Sequence, residues 1–359
     1  MMSADFCIPQ NFRPIPIGIV GAGAIVKTAH LPAALRSPLV EVAAVVDRKL
    51  DNAAGLLKDY GLHCALASDL SEVIDRVAAV IIATPPGSHY ALAQFALNHD
   101  VHVLLEKPMT VRYADALSLC ELAERRSKVL AVGYYSRCHP SVVLMKRLID
   151  EGFFGEILGF RLQHGSIGGW TPVTNYKLDL EQAGGGELMS NGTYFIDRLL
   201  YWFDAPRRFK YQDDSHGGPE ANCKWQMQYD NAIGQFSGEI FLSATVNMKT
   251  RFVLDTTKYI CEHIENRTQS VMLYPKNDAR MRMELFSNTT AIDPEQDYFQ
   301  EQLERFVGAI NGWCTVPVDG RFGARSVQLI EDMYRNRSLL DESWLSHLMQ
   351  DRREECVEK

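Results

Sequence analysis

The stretch Ile17-Gly18-Ile19-Val20-Gly21-Ala22-Gly23-Ala24-Ile25-Val26 carries an apolar run into a Gly-x-Gly turn. A turn of this kind at the start of a helix brings backbone N–H groups and a helix N-terminus against a pyrophosphate, and glycine permits the close approach. The third small position of the dinucleotide fingerprint is occupied by Val26, so the context carries the reading. Asp47 ends the next apolar run, where a carboxylate accepts hydrogen bonds from the adenosine ribose hydroxyls. Asp47 also repels a 2′-phosphate, which favours NAD over NADP, whereas Arg48 beside it is able to accommodate that phosphate and keeps NADP open. Two further clusters, Ala83-Thr84-Pro85-Pro86-Gly87-Ser88-His89 and Glu106-Lys107-Pro108, each follow an apolar run. They stand at strand C-termini, where an open α/β sheet binds its ligand.

These residues need a scaffold, and the apolar runs supply one. Ile15 to Val20, Val40 to Val46, Val77 to Ala83, Val101 to Leu105 and Val129 to Val132 read as buried strands. Helical spacing over Ser88 to Asn98 and Tyr113 to Arg126 makes them crossover helices, so the first part is a parallel sheet with helices on both faces. Pro140 follows the last strand, and Ser141 to Ile149 reads as a connecting helix. After Gly155 the period becomes two: Ile157 to His164, Cys223 to Tyr229, Ala232 to Ala244 and Arg251 to Ile264 alternate apolar and polar residues, as a one-sided antiparallel sheet requires. Helical patterns at Glu295 to Ile310 and Gly323 to Leu340 close the chain. The expected class is α/β plus α+β, with a Rossmann dinucleotide-binding domain over 1–137, of which 1–13 are an N-terminal extension. A second domain over 138–345 is built on a large, predominantly antiparallel open sheet, and 346–359 form a charged tail.

Composition excludes several alternatives. At 359 residues the chain exceeds one ordinary core, and a formal charge of -8 disfavours nucleic acid as a partner. No run of eighteen apolar residues is present to span a bilayer, so no membrane partner is expected. Met1 to Gln10 lacks a secretory pattern, which points to the cytoplasm. The eight cysteines include no C-x-x-C pair and read as reduced, and no spacing suggests a metal site.

Taken together, the Gly-rich turn, Thr84-Pro85-Pro86 with His89, Glu106-Lys107-Pro108, Val132-Gly133-Tyr134 with Arg137 and Pro140, Gly155-Glu156-Ile157-Leu158-Gly159 and Ala183-Gly184-Gly185-Gly186 resemble the glucose-fructose oxidoreductase and inositol dehydrogenase (Gfo/Idh/MocA) family. The resemblance spans nearly the whole chain and implies that the second domain, 138–345, binds substrate and mediates oligomerisation. It implies a nicotinamide-dependent oxidoreductase that moves a hydride between NAD(P) and a secondary hydroxyl or ketone of a sugar, cyclitol or nucleotide-linked sugar. Candidate cofactor contacts are Gly21, Gly23, Ala24, Ile25, Asp47, Arg48, Thr84, Pro85, Pro86, His89, Glu106, Lys107 and Tyr135. The family implies that the Lys107 ammonium hydrogen-bonds the reacting oxygen, where a cation stabilises alkoxide character. Pro108 permits a cis peptide that aims the lysine.

The second catalytic position departs from the family pattern. Where relatives carry Asp and, four residues on, His, this chain has Ser190 and Tyr194 in Gly184-Gly185-Gly186-Glu187-Leu188-Met189-Ser190-Asn191-Gly192-Thr193-Tyr194-Phe195-Ile196-Asp197. Residues 190, 194 and 197 share a helix face, and some branches of the family use tyrosine here. A phenol beside a lysine ammonium has its charged form favoured, which makes Tyr194 the expected proton relay. Arg137, His164 and Lys177 are candidates for a substrate phosphate or carboxylate, with Asn191 and Asp197 as further substrate contacts. Trp170, in the loop Gly165 to Pro172, is a candidate sugar platform. Two rival readings stand beside this one: a non-catalytic dinucleotide-binding regulator, and a reductase of a non-sugar carbonyl or dihydrodiol. The apolar group Ile233, Phe236, Ile240, Phe241, Leu242 and Val246 suggests one sheet face buried in a homodimer or homotetramer.

Overall fold

In the computed structural model, the described residues are 8–9, 11–167, 175–215, 218–265, 267–278, 280–287 and 297–340. The first sheet comprises β1 (Ile15–Val20), β2 (Val40–Val46), β3 (Ala65–Ala67), β4 (Ala79–Ile82), β5 (His102–Leu105) and β6 (Leu130–Val132). All its pairings are parallel, in the order β3-β2-β1-β4-β5-β6. Its strands are apolar on both faces: Ile17 and Ile19 enter one core while Val20 enters the other, and Ile81 and Ile82 divide in the same way. Helices α1 (Leu31–Arg36), α2 (Leu50–Tyr60), α3 (His89–Asn98) and α4 (Tyr113–Arg125) are the crossovers. Asp47 and Thr84 follow the C-termini of β2 and β4 at the edge of the sheet from which α1 and α3 depart.

α5 (Pro140–Asp150) leads to a nine-stranded sheet. Its strands are β7 (Ile157–Gly165), β8 (Arg208–Asp213), β9 (Asn222–Asn231), β10 (Gly234–Ser243), β11 (Met248–Thr256), β12 (Tyr259–Ile264), β13 (Ser270–Pro275), β14 (Met283–Phe286) and β15 (Arg337–Leu339). Their order is β14-β13-β12-β11-β7-β10-β9-β8-β15, and every pairing is antiparallel except β7 with β10 and β8 with β15. Between β7 and β8 lie the short α6 (Leu180–Ala183) and α7 (Thr193–Phe203), and α8 (Tyr298–Ile310) and α9 (Gly320–Arg335) follow β14. The segment expected as a single strand from Arg251 to Ile264 is instead the hairpin of β11 and β12.

The apolar group on β10 does not form one face. Phe236, Ile240 and Leu242 point into the helix-covered core with Trp202, Phe203 and Phe252, and Ile233 packs at its margin. Phe241 has the opposite orientation, on a face where Glu239 pairs with Lys224 at 2.7 Å and Glu262 pairs with Arg251. The period of two places odd-numbered β10 residues, mostly polar, on this uncovered face. The apolar argument for an oligomeric interface is therefore replaced by a charged, hydrogen-bonded ladder.

The two closing helices return to the first sheet. Leu303, Phe306 and Val307 of α8 join Ile17, Ile19 and Leu104, while Ala324 and Val327 of α9 join Leu119 and Val132 on the other face. Residues assigned by sequence to the second domain thus complete both cores of the first.

Candidate active site

The Gly-rich turn is shaped by contact with the neighbouring strand. Gly21 has φ 104°, and a Cβ there would lie 2.5 Å from the Ala83 carbonyl oxygen, so only glycine fits. Its N–H donates to the Val46 carbonyl at 2.7 Å. Gly23, Ala24 and Ile25 are exposed at the start of the helical segment, and a Cβ on Gly23 would meet nothing within 4 Å. Asp47 Oδ2 accepts the Ala22 N–H at 2.9 Å and Oδ1 accepts the Lys49 N–H at 2.9 Å, which fixes the carboxylate beside the turn with acceptor capacity left over. An open glycine cradle, amides at a helix start and an adjoining oriented carboxylate fit a dinucleotide. Arg48 is exposed next to Asp47.

At the ends of β4 and β5, some expected ligand contacts are instead struts. Thr84 Oγ1 lies 2.7 Å from Ser88 Oγ, and the Ser88 hydroxyl donates to the Pro85 carbonyl, which holds the Thr84-Pro85-Pro86 bend. His89 is fully buried, with Nδ1 3.0 Å from the Pro108 carbonyl oxygen and Nε2 2.8 Å from the Thr84 carbonyl oxygen. It ties the two strand-end loops together and is closed to any ligand, which corrects its assignment as a cofactor contact. Glu106 is also buried: Oε1 lies 2.8 Å from His30 Nε2 and Oε2 accepts the Lys107 N–H. Burial raises the Glu106 carboxyl, but the hydrogen bond and charge of His30, with Lys107, bring it below its ordinary value. Its role is to brace Lys107 from behind.

The Lys107–Pro108 peptide is cis. Lys107 Nζ donates to the Ser190 carbonyl at 2.8 Å and stands 4.0 Å from the centroid of the Tyr194 ring. Burial pulls its pKa down from 10.5 to about 8; Lys177 adds to the fall, while Glu106 and Glu187 oppose it. The ammonium lies over the face of Tyr194, so its charge does not activate the phenol as the sequence suggested. Burial first, then the Glu106 carboxylate, push the Tyr194 hydroxyl well above 10. Tyr135 stacks on Phe299 at 4.3 Å and meets Tyr194 edge-on at 5.7 Å, forming the aromatic wall beside the lysine.

Arg137 and Asp197 are not available to a substrate. Arg137 Nε and Nη2 donate to the two Asp197 oxygens at 2.6 and 3.1 Å, with side-chain exposures of 4% and 0%. The guanidinium is clamped between the rings of Tyr201 and Phe322. Two charges this deep are tolerated only as a pair, which makes them a structural tie and corrects both substrate assignments. His164, at the inward register of β7, has Nδ1 2.7 Å from Thr250 Oγ1. Burial lowers its pKa, so the ring is neutral and does not serve as an anion receptor. Lys177 stands within electrostatic reach of both Lys107 and Glu187. Trp170 lies outside the described residues.

Two residues that sequence reasoning passed over organise the helix opposite Lys107. Glu220, 1% exposed, accepts N–H groups from Gly186 at 3.0 Å and Leu188 at 2.8 Å and the Tyr334 hydroxyl at 2.8 Å. A Cβ on Gly186 would collide with the Glu220 backbone, which explains that glycine. Glu187, 3% exposed, accepts the Asn191 side-chain N–H at 2.8 Å, and burial raises its carboxyl above the usual range. The signal for Glu187 was present in sequence: a carboxylate directly after the glycines, one helical turn before Ser190.

Residues 15–134 match a family profile described as "Oxidoreductase family, NAD-binding Rossmann fold", and residues 146–338 match that family's "C-terminal alpha/beta domain". D-glucoside 3-dehydrogenase of Escherichia coli (strain K12) is 24% identical over 347 residues, covering 90% of this chain and 95% of that relative. A dTDP-3,4-didehydro-2,6-dideoxy-alpha-D-glucose 3-reductase of Streptomyces violaceoruber is 31% identical over 187 residues, 52% of this chain and 53% of that relative. Among solved structures, a levoglucosan dehydrogenase complexed with NADH and levoglucosan superposes with a TM-score of 0.80 at 19% identity, covering 90% of this chain and 97% of that one. Among the described residues no helix is long and apolar enough to cross a membrane. With both of its domain profiles matched in order and its sheets arranged accordingly, the chain belongs to the Gfo/Idh/MocA family of NAD-binding oxidoreductases.

Proposed function

We propose that this oxidoreductase acts on a secondary hydroxyl, or the corresponding ketone, of a sugar, cyclitol or nucleotide-linked sugar. The observation that carries the reading is Lys107: a buried ammonium at the end of β5, anchored on the Ser190 carbonyl and beside the open glycine cradle's sheet edge. When bound, the nicotinamide supplies or accepts the hydride. Gly21, Gly23 and the first helical amides bind the pyrophosphate, and Asp47 the ribose. Lys107 Nζ donates to the substrate oxygen and offsets alkoxide charge in a site where few water molecules compete. Its pKa of about 8 lets it exchange the hydroxyl proton near neutrality. Tyr194 remains a neutral phenol that holds the ammonium on its ring face. Sugar-acting relatives of the same family, the glucoside and levoglucosan dehydrogenases among them, support the substrate class.

The same reading includes a cytoplasmic homodimer or homotetramer. Six free thiols among the described cysteines support the location, and the uncovered face of the nine-stranded sheet, charged rather than apolar, is the surface open to assembly. The test is NAD(P)H fluorescence titration followed by an oxidation panel of D-glucose, methyl glucosides, D-xylose, levoglucosan, myo-inositol and a UDP-sugar. Lys107→Ala should leave dinucleotide affinity within about threefold and lower turnover by roughly two to four orders of magnitude. Dinucleotide binding without turnover on any member would favour the regulator.

A further inference from the structure

Glu187 and His164 are two buried polar groups that face each other without bonding. Glu187 Oε1 stands 3.9 Å from His164 Nε2, too far for a hydrogen bond. His164 Nε2 is buried with no hydrogen-bond partner among the described residues, although a buried ring nitrogen normally has one. Both groups are held from behind, Glu187 by the Asn191 amide at 2.8 Å and His164 by Thr250 Oγ1 at 2.7 Å. The gap is therefore a fixed feature of β7, β11 and the helix segment, and an oxygen atom can sit within hydrogen-bond distance of both sides at once.

The chemistry of the pair selects that oxygen. The tautomer that turns an N–H toward the Glu187 carboxylate carries its proton on Nε2 and accepts the Thr250 hydroxyl at Nδ1, so in that form His164 donates into the gap and Glu187 accepts. A group that accepts from one side and donates to the other is a hydroxyl. A carbonyl or ether has no proton to give Glu187, and a phosphate or carboxylate is repelled by it. Lys107 Nζ rests on the carbonyl of Ser190, three residues beyond Glu187, and the ammonium and the Glu187 carboxyl lie within electrostatic reach of each other. One small polyol therefore has both the ammonium and the gap to engage with different hydroxyls.

We propose that Glu187 and His164 form a receptor for a second, uncharged substrate hydroxyl, distinct from the one that Lys107 engages. The receptor makes the enzyme specific for a neutral polyol unit and excludes an anionic group from the carbon it holds. This inference rests on the sugar-oxidoreductase reading above. A nucleotide or phosphate carried by the substrate has to lie away from this end.

The experiment uses the full chain with its cofactor. Methyl α-D-glucopyranoside and its 2-, 3- and 4-deoxy analogues serve as probes, with wild type, Glu187→Gln and His164→Phe compared for kcat, KM and, by saturation-transfer NMR, sugar binding without turnover. One deoxy analogue should lose roughly ten- to a hundredfold in kcat/KM with wild type, as expected for a site whose polar groups are left unpaired. Glu187→Gln should lose a similar factor on the parent sugar but only a few-fold more on that analogue, while NADH affinity stays unchanged. Equal discrimination among the analogues by wild type and both variants overturns the receptor and points to a bound water molecule at the gap. If wild type turns over no sugar, the catalytic reading fails by itself. NMR then decides the receptor: parent binding that Glu187→Gln weakens sustains it, and binding that is equal or absent in both overturns it.

Discussion

Lys107 combines two demands that usually conflict. A cation is required to stabilise alkoxide, yet a group that exchanges protons at neutral pH must hold its proton loosely. Burial resolves this by lowering the lysine to about 8, while Glu106, held ionised by His30, keeps the cation from being lost altogether. The sign of the pH dependence follows. Below about 8 the ammonium is present and ketone reduction is supported; above it the neutral amine is present and alcohol oxidation is supported. Initial rates should show reduction falling and oxidation rising through that value, and the limb should persist in Tyr194→Phe, whose phenol titrates far higher. A limb that vanishes in Tyr194→Phe would return the proton to the tyrosine. At the cofactor's other end, Asp47 beside the turn should make NAD(H) bind more tightly than NADP(H) in parallel titrations. A preference for NADP(H) would show that Arg48 governs the site.

At the scale of elements, the helix facing Lys107 owes its position to a group outside it. Glu220, between β8 and β9, gathers Gly186 N, Leu188 N and Tyr334 OH on one carboxylate, so the glycine run enters its helix at a single angle. Glu220→Ala should leave these buried donors unpaired and cost about 1–3 kcal/mol in urea unfolding. It should also reduce turnover at unchanged dinucleotide affinity. Stability equal to wild type would mean that water replaces the carboxylate. Sequence patterns revealed much of this frame, because continuous apolar runs mark strands covered on both faces and the period of two marks a one-sided sheet. Short pieces such as β3, with three residues, have too little pattern to register. The site was half legible: strand-end motifs located Lys107 and the glycine turn, but Glu220 meets Gly186 across 34 positions. Whether a charged residue such as Arg137 faces ligand or partner depends on that kind of remote contact.

For the whole molecule, the Arg137–Asp197 pair joins the segment leaving β6 to α7 over the second sheet. Asp197→Asn strands a guanidinium between Tyr201 and Phe322 and should cost roughly 3–5 kcal/mol, read as a lowered Tm and urea midpoint. A loss confined to substrate KM, at wild-type stability, would restore the ligand-binding role.

The return of α8 and α9 to the first sheet also sets the timing of biosynthesis. A ribosome that has released residues 1–137 has delivered all six parallel strands but neither of the helices that bring Phe306 against Ile17 and Val327 against Val132. The nascent Rossmann half must wait, apolar surface open, until some two hundred more residues have emerged, at synthesis rates of about 5–20 residues per second a delay of tens of seconds. Chains stalled at residue 137 should bind a hydrophobic dye and a trigger-type chaperone, and chains released past residue 335 should not. The protein thus begins to fold from its first strand but cannot finish that domain until α8 and α9 have emerged.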